Sequence, residues 1–460
     1  MTAPHEIAPE RHRGPLRVLL KGVGVVGLVL MLVVGIVSFL PGGFGGLLDR
    51  AAPPEVEGEI LWSTDDGAVQ LGPHGWLTHP GDDGDYVARN VRTGESWTIG
   101  DLASQMSITQ DGVVVQPDEK RILIQSEGST RTTSTTKIFE AFGQDELWPG
   151  TNSELVALSD THVVVATCLA PRPSKLVDEV EGGVRVLAGI NLKDASIGWT
   201  RDSGAGCGPD AGRGKPRTMP AQQYTLVQPR DETVIAINID TGKVAHRWSG
   251  VRAHQLVVQG DHVLAPEGDD TVTWSSLRTG QEISRVACRG AGVGDPGDTS
   301  RQLSQEATPV VTCGESVHAL DGDRFVEIPV PPAEGGEPID EGTEVAYGHL
   351  VLQRQGPKVH VRNGLTGQAV GDLDVPEDFE VAGFVPQGRL LAFVQWDDSG
   401  ERNTGTYRVF DARNGTKVLV TGGGMRTGAD ASPDGVVMVE SDDEDLESTS
   451  LWVAGTKEKP

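Results

Sequence analysis

A strand–turn–strand unit recurs along this chain, and the recurrence restricts the fold more than any other feature. It is clearest in TVIAINIDTGKVAHRW, residues 233–248. Val234 to Ile239 alternate as a strand, Asp240-Thr241-Gly242 makes a tight turn, and Lys243 to Trp248 returns. Glycine suits such a turn because it takes positive φ without a Cβ clash. The pattern returns as YVARNVRTGESWTI (86–99), TVTWSSLRTGQEISRV (271–286), KVHVRNGLTGQAVGDL (358–373) and YRVFDARNGTKVLV (407–420). Degenerate copies are VLAGINLKDASIGW (186–199) and SVHALDGDRFVEI (316–328), with a poorer one expected in TTSTTKIFEAFG (132–143).

The turn glycines Gly242, Gly280, Gly322, Gly367 and Gly415 are spaced by 38, 42, 45 and 48 residues. Between Gly94 and Gly242 lie 148 residues, room for three such units. A lone hairpin cannot bury its apolar face, but a ring of four-stranded sheets can. A period of ~45 residues, with two strands at each turn and space for two more, matches a propeller blade. The expected fold is therefore all-β, an eight-bladed β-propeller with seven blades as the alternative. Strand-like EILWST (59–64) or AVQL (68–71) is expected to share a sheet with GVVMVES (435–441) or SLWVAG (450–455). Such pairing would close the ring and remove its free edges.

The run Ala236, Ile237, Asn238, Asp240, Thr241, Gly242, Lys243 and Trp248 resembles the repeat of the PQQ-like β-propeller superfamily. As a repeat pattern the resemblance spans about 58–455. In that family the terminal Trp docks between neighbouring blades, and it is kept here in Trp199 and Trp248. The resemblance implies a divergent member of a family that holds both quinoprotein dehydrogenases and non-enzymatic outer-membrane assembly scaffolds. Similar dehydrogenases carry a vicinal Cys-Cys pair over the quinone and hold calcium with Glu and Asn beside a catalytic Asp. No Cys-Cys occurs here, and Asp82, Asp83 and Asp85 lie in loop-like sequence.

Residues 22–40 (GVGVVGLVLMLVVGIVSFL) hold no charge over nineteen positions. As a helix they would span roughly 28 Å, close to the hydrocarbon thickness of a bilayer. A cleaved signal peptide has a shorter apolar run and a small-x-small site, which Ser38-Phe39-Leu40-Pro41 does not supply. Arg11, Arg13, Arg17 and Lys21 precede the run, so the N-terminus is expected inside and the large domain outside the cytoplasm. The expected organisation is a basic tail (1–21), a transmembrane signal anchor (22–40), a Gly/Pro-rich linker (41–57) and an extracytoplasmic propeller (58–460). Cys168, Cys207, Cys288 and Cys313 form an even set that suits disulfides in an exported domain. Of the three connectivities, chain proximity favours Cys168–Cys207 with Cys288–Cys313. No C-x-x-C pair points to zinc.

The net charge of −27 combines +2 over residues 1–40 with −29 beyond them, and the acidic domain argues against nucleic acid as a partner. Catalytic motifs fail on context. Gly22-Val-Gly24-Val-Val-Gly27 lies in the apolar run, and Gly292-Val-Gly294-Asp-Pro-Gly297 is followed by no helix. His74 and His79 have no acidic partner at ligand spacing, and Gly214-Lys215-Pro216 lacks the Ser/Thr of a phosphate loop. The acidic run ESDDEDLE (440–447) lacks the spacing of a calcium loop. No cofactor, metal site or catalytic residue is expected. The expected role is a membrane-anchored scaffold for a protein or cell-wall partner. The alternatives are an extracytoplasmic small-ligand sensor and a degenerate or unusual PQQ-dependent dehydrogenase.

Overall fold

The computed structural model describes residues 59–64, 70–81, 85–100, 106–117, 120–143, 147–171, 184–206, 221–229, 233–268, 270–289, 292–293, 307–333, 338–381, 390–396, 405–415, 417–420, 426–431, 436–442 and 449–455. The apolar run 22–40 and the linker 41–57 lie outside them. Among the described residues no helix is long and apolar enough to cross a membrane.

Apart from the strand that closes the ring, short strands alternating with glycine turns pair with their sequence neighbours, and the result is a succession of antiparallel sheets. In chain order these are sheets 1 (70–100), 2 (107–134), 3 (147–206), 4 (224–249), 5 (257–287), 6 (292–328), 7 (344–374) and 8 (380–420). Sheet 4 has three described strands and the others four. Sheet 9 joins the two ends of the chain: Arg426–Ala431, Val436–Asp442, Thr449–Gly455 and then Glu59–Thr64.

Closure occurs where the strand pattern placed it, with 59–64 as the N-terminal partner. Glu59 pairs with Gly455 and Thr64 with Leu451. Gln70–Leu71 instead begins sheet 1. Eight hairpins thus accompany nine sheets, because counting glycine turns omits the sheet that the chain ends build.

Each sheet packs on the next through its apolar side chains. Val115, Ile122 and Ile124 of sheet 2 meet Val163, Val165 and Val186 of sheet 3. Leu352, Val359 and Val361 of sheet 7 meet Leu391, Phe393 and Phe410 of sheet 8. Equivalent clusters fill the seams from sheet 9 to 1, 1 to 2 and 3 through 7. Strand Lys417–Val420 of sheet 8 lies against Thr449–Gly455 of sheet 9, completing the circuit. Inner strands such as Val114–Pro117 and Val257–Gln259 are buried throughout, while the last strands, such as Val244–Ser249, stay largely exposed. This is a β-propeller: a ring of radial sheets held by seams rather than by one central core.

The segment 132–143 is not a hairpin. Sheet 2 turns earlier, at Glu127-Gly128, between Arg121–Ser126 and Ser129–Ser134. Residues Thr135–Phe142 form a helix whose cap, Ser134, accepts a hydrogen bond from the Lys137 N–H at 3.1 Å. Gly143 ends it at φ 77°, so this glycine is a helix C-cap and not a strand turn. Phe142 lies four residues after Ile138 and three after Phe139, and the three side chains pack onto the seam between sheets 2 and 3.

Candidate functional site: the hairpin-turn face

Because strands run antiparallel, the turns joining the first to the second strand and the third to the fourth lie on one face of the ring. Six of the outer turns share one construction. Asn90, Asn191, Asn238, Ser276, Asn363 and Asp411 open them, and each carbonyl accepts from the N–H four residues on, at 2.8–2.9 Å. That fifth residue is Gly94, Ala195, Gly242, Gly280, Gly367 or Gly415, all with φ between 58° and 79°. The side chain at the opening position also accepts backbone N–H groups. Asn90 Oδ1 takes Arg92 and Thr93 at 2.9 and 3.1 Å, and Asn363 Oδ1 takes Leu365 and Thr366 at 2.9 and 3.0 Å. These are Asx turns, in which a short polar side chain mimics a backbone turn. Gly322 differs: with Asp323 it makes the two-residue turn between Asp321 and Arg324.

The residue after five of these six caps then ties its turn to the segment just before an inner strand of the same sheet. Val91, Leu192, Ile239, Leu277 and Gly364 donate N–H to the carbonyls of Gly75, Thr161, Gln223, Asp261 and His349, at 2.7–3.0 Å. The turn face is thus a hydrogen-bonded platform, and the two ends of the described chain, Glu59 and Gly455, pair at its rim.

Beyond the apolar seam, polar contacts tie the turns of sheets 3 and 4 together, among them the Arg201 Nη1–H bond to the Gly242 carbonyl at 3.3 Å. The Trp199 indole donates Nε1–H to the Ile239 carbonyl at 2.8 Å and covers the turn glycine Gly242. A Cβ on Gly242 would stand 2.5 Å from that ring, and one on Gly189 2.0 Å from it. Trp199 therefore fills a slot that only glycines leave open. Trp248 packs, half-buried, on the cluster that includes Val258 and Val263 of sheet 5, with His246 at 4.5 Å. It does not cover Gly280, where a Cβ would meet nothing within 4 Å.

A further contact gathers Ser159, Thr161, His162 and Asp240. Asp240 Oδ1 accepts from Ser159 Oγ at 2.7 Å and Thr161 Oγ1 at 2.9 Å, with His162 Nδ1 at 3.3 Å. These are the residue types of a hydrolytic triad, but the connectivity is different. A triad serine must reach the histidine while the aspartate holds the other ring nitrogen. Here serine and histidine converge on the same carboxylate oxygen, which makes a clamp between two turns.

On the opposite face Arg354 is 2% exposed, and its guanidinium binds only backbone carbonyls. Nε donates to Ile339 at 2.9 Å, and Nη1 to Val375 at 2.9 Å and Pro376 at 3.1 Å. Longer contacts reach Gly356 and Phe379. Burial lowers the Arg354 pKa, and the charges of Glu377, Glu341 and Asp378 oppose that shift.

Cys288 and Cys313 are joined by a disulfide that links the end of sheet 5 to the second strand of sheet 6. Cys168 is also disulfide-bonded, and Cys207 lies outside the described residues. His74 and His79 serve separate ends: His74 sits in a turn at φ 55°, and the His79 ring lies tilted against Trp62, centroids 4.6 Å apart, across the seam between sheets 9 and 1. Among the described residues no group of three or more His, Cys, Asp or Glu side chains is placed to hold a metal ion. The Asx caps and Arg354 escaped the sequence reading. A polar residue four positions before each turn glycine was the available signal for the caps, while nothing local marks Arg354.

No protein family matches this sequence, and neither does any curated protein. Among solved structures it is similar to BamB from Moraxella catarrhalis, at 11% identity over 78% of this chain and 95% of that one, TM-score 0.35. It is also similar to the quinohemoprotein alcohol dehydrogenase from Comamonas testosteroni, at 11% identity over 87% and 77%, TM-score 0.36. A third likeness is to the C-terminal WD40 domain of Sif2, at 9% identity over 78% and 97%, TM-score 0.35. The propeller assignment rests on the sheets and seams above, and these likenesses add nothing about activity.

Proposed function

We propose that this protein is a membrane-anchored, extracytoplasmic binding scaffold whose propeller holds a protein or cell-wall partner without chemistry of its own. The observation that carries this reading is the turn face. Among the described residues its turns are tied together by hydrogen bonds that make the ring rigid, and the Ser159–His162–Asp240 cluster is wired as a clamp. A rigid ring carrying variable loops suits recognition. The charge-free run 22–40 behind four bases supports the anchor, and the Cys288–Cys313 disulfide suits an oxidising compartment.

The test has two arms. A reporter active only outside the cytoplasm, fused after Pro460, should be active in cells, and activity of a cytoplasm-only reporter at that position would sink the anchor. Residues 58–460, immobilised, should retain either purified cell-wall polymer or an envelope protein that also crosslinks to the full-length chain in intact cells. Retention of neither would end the scaffold reading.

A further inference from the structure

The first two strands of sheet 3, Leu147–Leu158 and His162–Pro171, fall out of register between Pro149 and Ser153. Pro149 pairs with Leu169 and Ser153 with Thr167, so three residues stand against Cys168 alone. Pairing continues on both sides of this bulge, and sliding one strand cannot remove it. A bulge takes backbone groups out of the ladder and bends the strand locally. Directly beside it, Ser153 and Thr167 oppose each other across the ladder.

Successive side chains of a strand point to opposite faces of its sheet. Val163 and Val165 belong to the seam with sheet 2, so Thr167, two residues further on, faces that seam as well. Ser153, its partner in the ladder, shares the face. Val186, opposite Thr167 on the third strand, lies in the same apolar cluster. The helix Thr135–Phe142 packs into this seam too, against the strand Leu147–Leu158. Thr167 is 1% exposed and Ser153 8%. Among the described residues neither Ser153 Oγ nor Thr167 Oγ1 has a hydrogen-bond partner. A buried hydroxyl left in that condition is costly, and the valines around it offer nothing to bind.

We infer that Ser153 and Thr167 form a binding site for one ordered water molecule, which is an integral part of sheet 3. Directly opposed residues hold their Cβ atoms about 4.5–5.5 Å apart, a gap that one small molecule bridges. The chemistry of the site selects water. An ion of either sign would bring charge into an apolar seam where no side chain of the pair compensates it. An apolar solute would leave both hydroxyls unpaired. Water in such sites makes two to four hydrogen bonds. The two hydroxyls supply two of them, and the bulged backbone supplies a third. The water thus stands in for the ladder bonds that the bulge removes, and it fastens the first strand of the sheet to the second.

The experiment uses the full-length protein and has two arms. A crystal structure fine enough to place solvent should show one density peak within hydrogen-bond distance of both Ser153 Oγ and Thr167 Oγ1. No peak there, or the two hydroxyls bonded directly to each other, would overturn the inference. Urea unfolding gives the second arm. Valine has the outline of threonine, so Thr167→Val removes the hydroxyl with little change of shape. Thr167→Val and Ser153→Ala should each lower the folding equilibrium constant roughly fivefold to tenfold, the loss of about one net hydrogen bond. The double variant should lose scarcely more than either alone, because each single change already releases the same water. A single variant more stable than the unsubstituted protein would show that its hydroxyl had no partner, since removing an unpaired buried hydroxyl relieves a cost. Fully additive losses would show that the two oxygens share nothing. Either result refutes the site.

Discussion

Arg354→Met puts the largest single burden on the ring that these contacts allow. The guanidinium is buried and makes three short hydrogen bonds to the carbonyls of Ile339, Val375 and Pro376. Those carbonyls belong to the segments that enter and leave sheet 7, so one side chain fixes both ends of a blade. A hydrogen bond to a charged donor contributes about 1.5–3 kcal/mol, and a buried acceptor left without a donor costs about 1–3 kcal/mol. Three such bonds alone would exceed 4 kcal/mol. Taking an arginine out of water also costs several kcal/mol, and methionine is spared that cost. The expected net loss is therefore about 2–4 kcal/mol. Arg354→Lys should recover less than half of it, because three ammonium donors cannot match a planar fork. Denaturant unfolding followed by tryptophan fluorescence gives the magnitude, and hydrogen exchange should show faster opening across 339–379 than across sheets 2 and 3. A loss under about 0.5 kcal/mol, or uniform loss of protection around the ring, would refute the keystone role.

Gly242→Ala and Gly280→Ala carry the same positive-φ penalty of about 1 kcal/mol, but only the first drives a methyl into Trp199, at 2.5 Å. Gly242→Ala should therefore unfold at lower urea by a margin worth at least a further ~1 kcal/mol, and equal midpoints would contradict the docking slot. Burial pushes the His349 imidazole below its ordinary pKa of 6.5. The unfolded chain thus takes up a proton that the folded one refuses, and stability should fall as pH drops below about 6.5. His349→Gln should flatten that fall, and an identical pH profile would contradict it. Removing 449–460 deletes a strand hydrogen-bonded on both sides, to Val436–Asp442 and to Glu59–Thr64. It should lower the melting temperature of the entire domain, and a truncated protein that melts like the full one would disprove closure by the chain ends.

The fold was legible in the sequence because its information is local. Each hairpin needs only two alternating runs and a residue that accepts positive φ, and Gly94, Gly242, Gly280, Gly367 and Gly415 announce it. Ala195 shows the limit of the signal: it holds φ 58° in the same turn position without being glycine. The turn survives there because Asn191 Oδ1 accepts from the Lys193 N–H at 2.8 Å and Asp194 Oδ1 from the Ser196 N–H at 2.9 Å. The helix Thr135–Phe142 was misread for a related reason. Gly143 ends a helix with the same left-handed φ that ends a strand, so glycine alone cannot say which element it closes. The spacing of Ile138, Phe139 and Phe142 could have said it.

The site was far less legible, and the reason is the opposite one. What sets the turn face is contact between residues distant in sequence: Ser159 with Asp240 and Trp199 with Gly242. A repeat carries each hairpin in its own forty-odd residues, but a clamp across a seam belongs to no single repeat and leaves no period behind. Ser159, His162 and Asp240 would look alike in a sequence whether they formed a triad or a latch. Only the carboxylate oxygen they share separates the two. A propeller's sequence therefore discloses the ring well before it discloses what the ring is for, and the search for a partner is best guided by which contacts the ring has already used.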